Sequence, residues 1–208
     1  MSDAERTADV LILAAGVGAS LIGGALLVLL IVPSQPAIAG ASLAFYAASL
    51  IAAFSTSAAY HWVAASTLKE WLRRFDHATI FVLIAGTYAP FALAKMTGGL
   101  TLGLFLAVLA VAVAGVALKL AWPRRFDRAA VVLYLVQGWA IVVAIEPLAA
   151  AVSSAALTLL VAGGVLYTLG VVFHVWRRLR FQDAIWHGFV LAAAACHYAA
   201  VVAAVAPA

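Results

Sequence analysis

Seven long apolar runs, separated by short polar breaks, account for nearly all of the 208 residues. Each run has about 20 residues or more, enough to cross about 30 Å of hydrocarbon as an α-helix. The pattern predicts spans over approximately residues 10–32, 37–65, 75–95, 99–121, 128–146, 148–174 and 182–206. The breaks carry turn and loop chemistry: Pro33-Ser-Gln-Pro36, Lys69 to Arg74, Lys95 to Gly99, Trp122-Pro-Arg-Arg125, Glu146-Pro147 and Arg177 to Arg180. Glu146-Pro147 leaves room only for a tight hairpin between the fifth and sixth runs. The expected fold is all-α, a single seven-helix transmembrane domain over residues 1–208. The pattern holds no internal repeat, extramembrane domain, Gly-rich phosphate loop or nucleophile elbow.

The charges orient this bundle. Eleven of the 12 lysines and arginines fall on one side of a seven-span arrangement, and only Lys95 falls on the other. That asymmetry predicts a cytoplasmic N-terminus and an external C-terminus, as expected for a protein of the bacterial plasma membrane. Omitting an internal helix would scramble the bias, whereas omitting the first would leave it intact. Trp62, Trp71, Trp122, Trp176 and Trp186 cluster near the same side, where interfacial anchors belong. The glycines at 16, 18, 23, 24, 163, 164 and 170 read as close helix packing.

Composition narrows the class further. A chain that is 67% hydrophobic and 10% charged, with mean hydropathy +1.15, is no soluble globule, and its partner is the lipid bilayer. The pI near 9.5 does not point to nucleic acid, because the basic residues sit in the loops that topology requires. A lone cysteine, Cys196, excludes an intramolecular disulfide. Ala37-Ile38-Ala39 offers a small-x-small cleavage site. However, the preceding apolar run from Val10 to Val32 is too long for a signal peptide, and Asp3, Glu5 and Asp9 outweigh Arg6 in its flank. The first run is therefore expected to be a retained helix.

Against this background a few polar side chains stand out. Ser57 and His61, Asp76, and Asp183 and His187 lie near the same ends of three different spans. Ionisable groups at membrane depth are costly and are functional candidates by default. Asp183 and His187 are four residues apart, hence on one helical face, and so are Ser57 and His61. Each has a bland reading. Asp183 fits a helix cap, His61 a hydrogen bond to a loop carbonyl, and Asp76 a cap paired with Arg73 or Arg74. Taken together, His61, His187 and the carboxylate of Asp183 form an accepted ligand set for catalytic zinc, with a position left for water. Asp76 is placed to take a proton from that water, and Ser57 to donate to a developing oxyanion. His197 lies about 15 Å beyond His187 along the helix and is excluded from the set. His77 points away from Asp76, His174 sits at an interfacial end, and Glu146 lies on the opposite side of the membrane.

These residues carry a family resemblance. Ser57-Ala-Ala-Tyr-His61, the stretch from Phe75-Asp-His through Gly86-Thr-Tyr-Ala-Pro90, Gly163-Gly-Val-Leu-Tyr-Thr-Leu-Gly170, and Ile185-Trp-His-Gly-Phe-Val190 with His197 are similar to motifs of the hemolysin III family. That family is the bacterial branch related to the progestin and adiponectin receptors and, more distantly, to alkaline ceramidases. The resemblance implies seven helices around a zinc site, with His61 and His187 as ligands, Ser57 nearby and Asp76 beside the metal-bound water. It also implies a His-x-x-x-His pair in the last helix, where this chain has Asp183 in place of the first histidine. The Asn and Thr-His of many relatives are absent from the first helix, which is left with no assigned chemistry. The function expected is zinc-dependent hydrolysis of an amide or ester bond in a lipid-like, ceramide-like substrate. The alternative is a non-enzymatic membrane protein, a pore-forming hemolysin or receptor-like sensor with a structural zinc.

Overall fold

The computed structural model describes residues 2–96 and 98–205. Among these residues the chain is all-helical, and seven helical segments are long and apolar enough to cross a membrane. In chain order they are the first span (Asp3–Ser34), second (Ala37–Trp62), third (Thr67–Lys95), fourth (Gly99–Ala121), fifth (Asp127–Ala151), sixth (Ser154–Val175) and seventh (Gln182–Val205). The chain is a multi-pass membrane protein.

Three boundaries differ from the hydropathy pattern, each for a local reason. The first helix starts at Asp3, because Ser2 and Glu5 form a reciprocal capping box. The third starts at Thr67 with Ser66 as its cap, so Lys69 to Arg74 is helix and not loop. The fifth runs through Glu146-Pro147 to Ala151, and the break falls where Ser153 caps the sixth. Pro147 is tolerated because it lies in the first turn of its short helix, where its missing N–H has no intrahelical partner to lose.

Successive spans pack side by side, the first also against the seventh, and the third reaches the second, fourth, fifth and seventh. Tyr46, Phe81, Leu27 and Leu43 are fully buried at the centre, while Leu29, Leu30 and Val143 face outward. The fifth span is the irregular one, an α-helix to Trp139, a 3-10 turn over Ala140–Ala144 and a short helix beyond. Backbone groups freed by such a break need partners in an apolar medium. Tyr88 supplies them: its hydroxyl accepts from the Ile141 amide at 2.8 Å and faces the carbonyls of Gln137 and Gly138 at 2.8 and 2.9 Å.

At the lysine- and arginine-rich end, the cations close helix termini. Lys69 donates to the carbonyls of Tyr60 and Val63, and Arg74 to that of Leu120. These contacts satisfy carbonyls and complement helix dipoles. Arg73 and the fully buried Lys119 both bond Asp127, each at 2.7 Å, joining the third, fourth and fifth spans.

Glycines fix several of the closest approaches, though not all those expected. A Cβ on Gly16 would fall 2.4 Å from the Phe54 ring and one on Gly163 2.2 Å from His197, whereas Gly18 faces open space. On the fourth span a Cβ at Gly115 would meet the buried Phe81 ring at 2.5 Å, while one at Gly103 meets nothing within 4 Å. Gly115→Ala is therefore expected to destabilise the protein by about 1–3 kcal/mol through overpacking. Gly103→Ala should be neutral or slightly stabilising. Thermal unfolding of both variants in detergent tests the contrast, and equal effects would refute it.

Candidate metal centre

The polar cluster forms where the first, second and seventh spans meet. Helix geometry places His61 in the last turn of the second span and His187 near the start of the seventh. The capping box at Ser2 starts the first helix early enough to carry Asp9 about two turns inside it. Asp9 heads a stripe with Leu13, Gly16, Ser20, Gly24 and Leu27, the face of this helix turned toward the bundle.

Asp9 is 1% exposed and touches both imidazoles. Its Oδ1 lies 2.6 Å from His187 Nδ1, and its Oδ2 lies 2.7 Å from His61 Nδ1. A carboxylate only accepts, so both Nδ1 atoms carry hydrogens and donate to it. The Nε2 of a neutral His187 is then an acceptor, and Ser57 Oγ lies 3.3 Å from it. The two rings stand edge to face, with centroids 4.7 Å apart. Two imidazoles and one carboxylate, with donor atoms within 4.8 Å of one another, form a group able to hold a metal ion.

The donor set suits zinc or a similar divalent ion. To hold an ion between Asp9 and both Nδ1 atoms, those nitrogens would give up their hydrogens and the 2.6 and 2.7 Å contacts would open.

The residues expected from sequence sort as follows. His61 and His187 come together, and Ser57 stands beside them. Asp183, expected as the third ligand, is not in the cluster among the described residues; Asp9 takes that place. Asp183 sits a turn nearer the start of its helix, about 6 Å from His187 along the axis, and lines the cavity wall with Gln182, Arg177 and Arg178. Asp76 lines the same cavity. Arg73 and Arg74, offered above as its ion-pair partners, are bonded elsewhere. The loop-carbonyl reading of His61 also gives way, since its Nδ1 is committed to Asp9. His197 is separate from the cluster and bonds the Leu160 carbonyl at 3.2 Å.

The sequence reading missed Asp9 because the first span was drawn from Val10, leaving this residue in the flank. The signal was present. Ser2-x-x-Glu5 marks a helix start, and counting from it sets Asp9 inside the helix.

The cluster borders a cavity of about 1180 Å³ lined mainly by the second, third, fifth, sixth and seventh spans, with Leu13 of the first and Lys119 of the fourth. Ser57, His61, Asp76 and His187 line it near the basic end, and Leu83, Ile84, Leu148 and Leu160 line its depth. From Arg73 to Phe91 along the third span it runs about 27 Å, close to the thickness of the hydrocarbon layer.

Residues 7–198 match the family described as Haemolysin-III related. The chain is 36% identical over 157 residues to the hemolysin-3 homolog of Bacillus subtilis (strain 168), covering 76% of this chain and 74% of that one. It is 37% identical over 182 residues to hemolysin-3 of Bacillus cereus, covering 86% and 83%. A more distant likeness, 29% over 164 residues, joins it to the human monocyte to macrophage differentiation factor, covering 75% and 67%. Among solved structures there is no significant match.

The cluster makes a clear prediction for metal content. Zinc measured by mass spectrometry on purified protein should be lost in Asp9→Ala and in His187→Ala, and retained in Asp183→Ala. Zinc retained without Asp9 but lost without Asp183 would reverse the assignment.

Proposed function

The chain belongs to the haemolysin-III-related family, and from that premise we propose that it is a zinc-dependent hydrolase of an amide or ester bond in a lipid-like substrate. The observation that carries this reading is that Ser57 and Asp76 share one deep apolar cavity with His61 and His187. In this reading Asp9, His61 and His187 hold the metal, and the basic end faces the cytoplasm of a bacterial cell, following the positive-inside bias.

Zinc in such a site polarises a carbonyl and brings the pKa of water toward about 7. The remaining work falls to the chain. The carboxylate of Asp76, free of the neighbouring arginines, takes the proton of the attacking water and returns it to the leaving group. Ser57 Oγ, released from His187 Nε2, donates to the oxygen that gains charge. Leucine and isoleucine side chains along the cavity hold the hydrocarbon tail and exclude bulk water, which strengthens both polar contacts. A ceramide-like molecule, one amide beneath a polar head with long tails, fits this division of labour.

The name of the Bacillus cereus relative, hemolysin-3, favours a second reading, a pore or sensor in which the metal only staples three spans. Under that reading Asp76 has no chemical task.

Hydrolysis separates the two. Zinc-loaded protein should cleave a long-chain N-acyl lipid in micelles. Asp76→Asn should lower kcat by about 10²- to 10⁴-fold with zinc content unchanged, and Ser57→Ala by about 10²- to 10³-fold. No turnover by the wild type, or full turnover by Asp76→Asn, would refute the hydrolase. Vesicle leakage indifferent to both substitutions would support the pore.

A further inference from the structure

The basic end of the cavity is built from more than topology requires. Five cations line it: Arg73 from the third span, Lys119 from the fourth, Arg128 from the fifth, and Arg177 and Arg178 from the loop before the seventh. Positive-inside bias explains why cations gather at this end. It does not by itself bring the exposed Arg128, Arg177 and Arg178, from two separate segments, to the wall of one cavity.

Two of the five are already used, since Arg73 and Lys119 share Asp127. Arg128, Arg177 and Arg178 have no side-chain acceptor among the described residues. Arg177 and Arg178 also line a smaller adjoining pocket of about 270 Å³ with Arg180, Glu5 and Asp183. Glu5 is committed to the amides of Ser2 and Phe181. Among the described residues Asp183 is thus the one free carboxylate lining the pocket of Arg177 and Arg178, and Asp76 stands apart on the third span. The local excess of charge is positive.

We propose that the cavity takes amphiphiles with an anionic head, a phosphate or a carboxylate, gripped by Arg128, Arg177 and Arg178. This rests on the reading of the site as one for lipid-like substrates and names the chemistry of the head. Guanidinium forks match both oxyanions through paired, charge-assisted hydrogen bonds. The depth supports an amphiphile over a free ion, because an inorganic anion has no use for apolar walls extending about 27 Å. The position also fits. His187 lies about 6 Å beyond Asp183, so a head held at the arginines sets the first bonds below it beside the cluster.

Binding tests this without requiring turnover. The full-length protein in nanodiscs of zwitterionic lipid is titrated with three probes: a tail-labelled monoalkyl phosphate, a fatty acid with the same label, and the uncharged alcohol of the same tail. Both anionic probes should bind about 10- to 100-fold more tightly than the alcohol. Arg128→Gln, Arg177→Gln and Arg178→Gln combined should bring all three within about twofold, while Arg124→Gln, whose partner is Glu70 outside the cavity, should leave the preference intact. Equal binding of the wild type to all three probes overturns the proposal, and this comparison decides even if the triple variant fails to fold. A preference that survives the triple variant also overturns it, as does inorganic phosphate binding as tightly as the alkyl phosphate. Failure of hydrolysis with the binding preference present would refute the hydrolase alone.

Discussion

The arrangement depends on one buried carboxylate. Asp9 is 1% exposed at the start of the apolar run of the first helix, and a charge there is sustained only by partners that match it. His61 and His187 are those partners, one to each oxygen. Because the three residues come from three spans, meeting this single electrostatic need fixes how the first, second and seventh helices face one another. It also orients both imidazoles through Nδ1, with His187 Nε2 turned to Ser57 Oγ.

The rest of the bundle is consistent with that demand. Apolar packing between helices is nearly indifferent in lipid, since the surrounding chains are as apolar as leucine. Specific position therefore comes from polar ties and close contacts. Tyr88 at the break of the fifth span, the Asp127 pairings at the basic end and the fit of Gly115 against Phe81 each define a neighbour that hydrophobicity alone would not. The irregular fifth span, together with the sixth, leaves the space that becomes the cavity, and the tightly tied spans carry the ligands.

Asp183 stands outside the cluster in which its spacing from His187 predicts it. Its spacing from His187 matches a two-ligand helical pair. In the structure it faces the cavity mouth beside the arginines, and the first helix supplies the carboxylate instead. The three-donor cluster draws its carboxylate from the first helix.

The sequence alone determined depth. Hydrophobic length set the seven spans, charge asymmetry aligned their ends, and helical rise put Ser57, His61, Asp76 and His187 at one level and His197 at another. Each is a property of distance along a helix axis, which residue count measures at about 1.5 Å per residue. Tertiary structure decided rotation and neighbourhood: that Asp9 faces inward, that it meets two histidines remote in sequence, and that Arg73 and Arg74 leave Asp76 unpaired. The direction in which a side chain points from its helix, and which helix lies opposite, are settled only when the spans pack against one another. Residues at equal depth are therefore candidates from sequence and become a site only when packing brings them into contact.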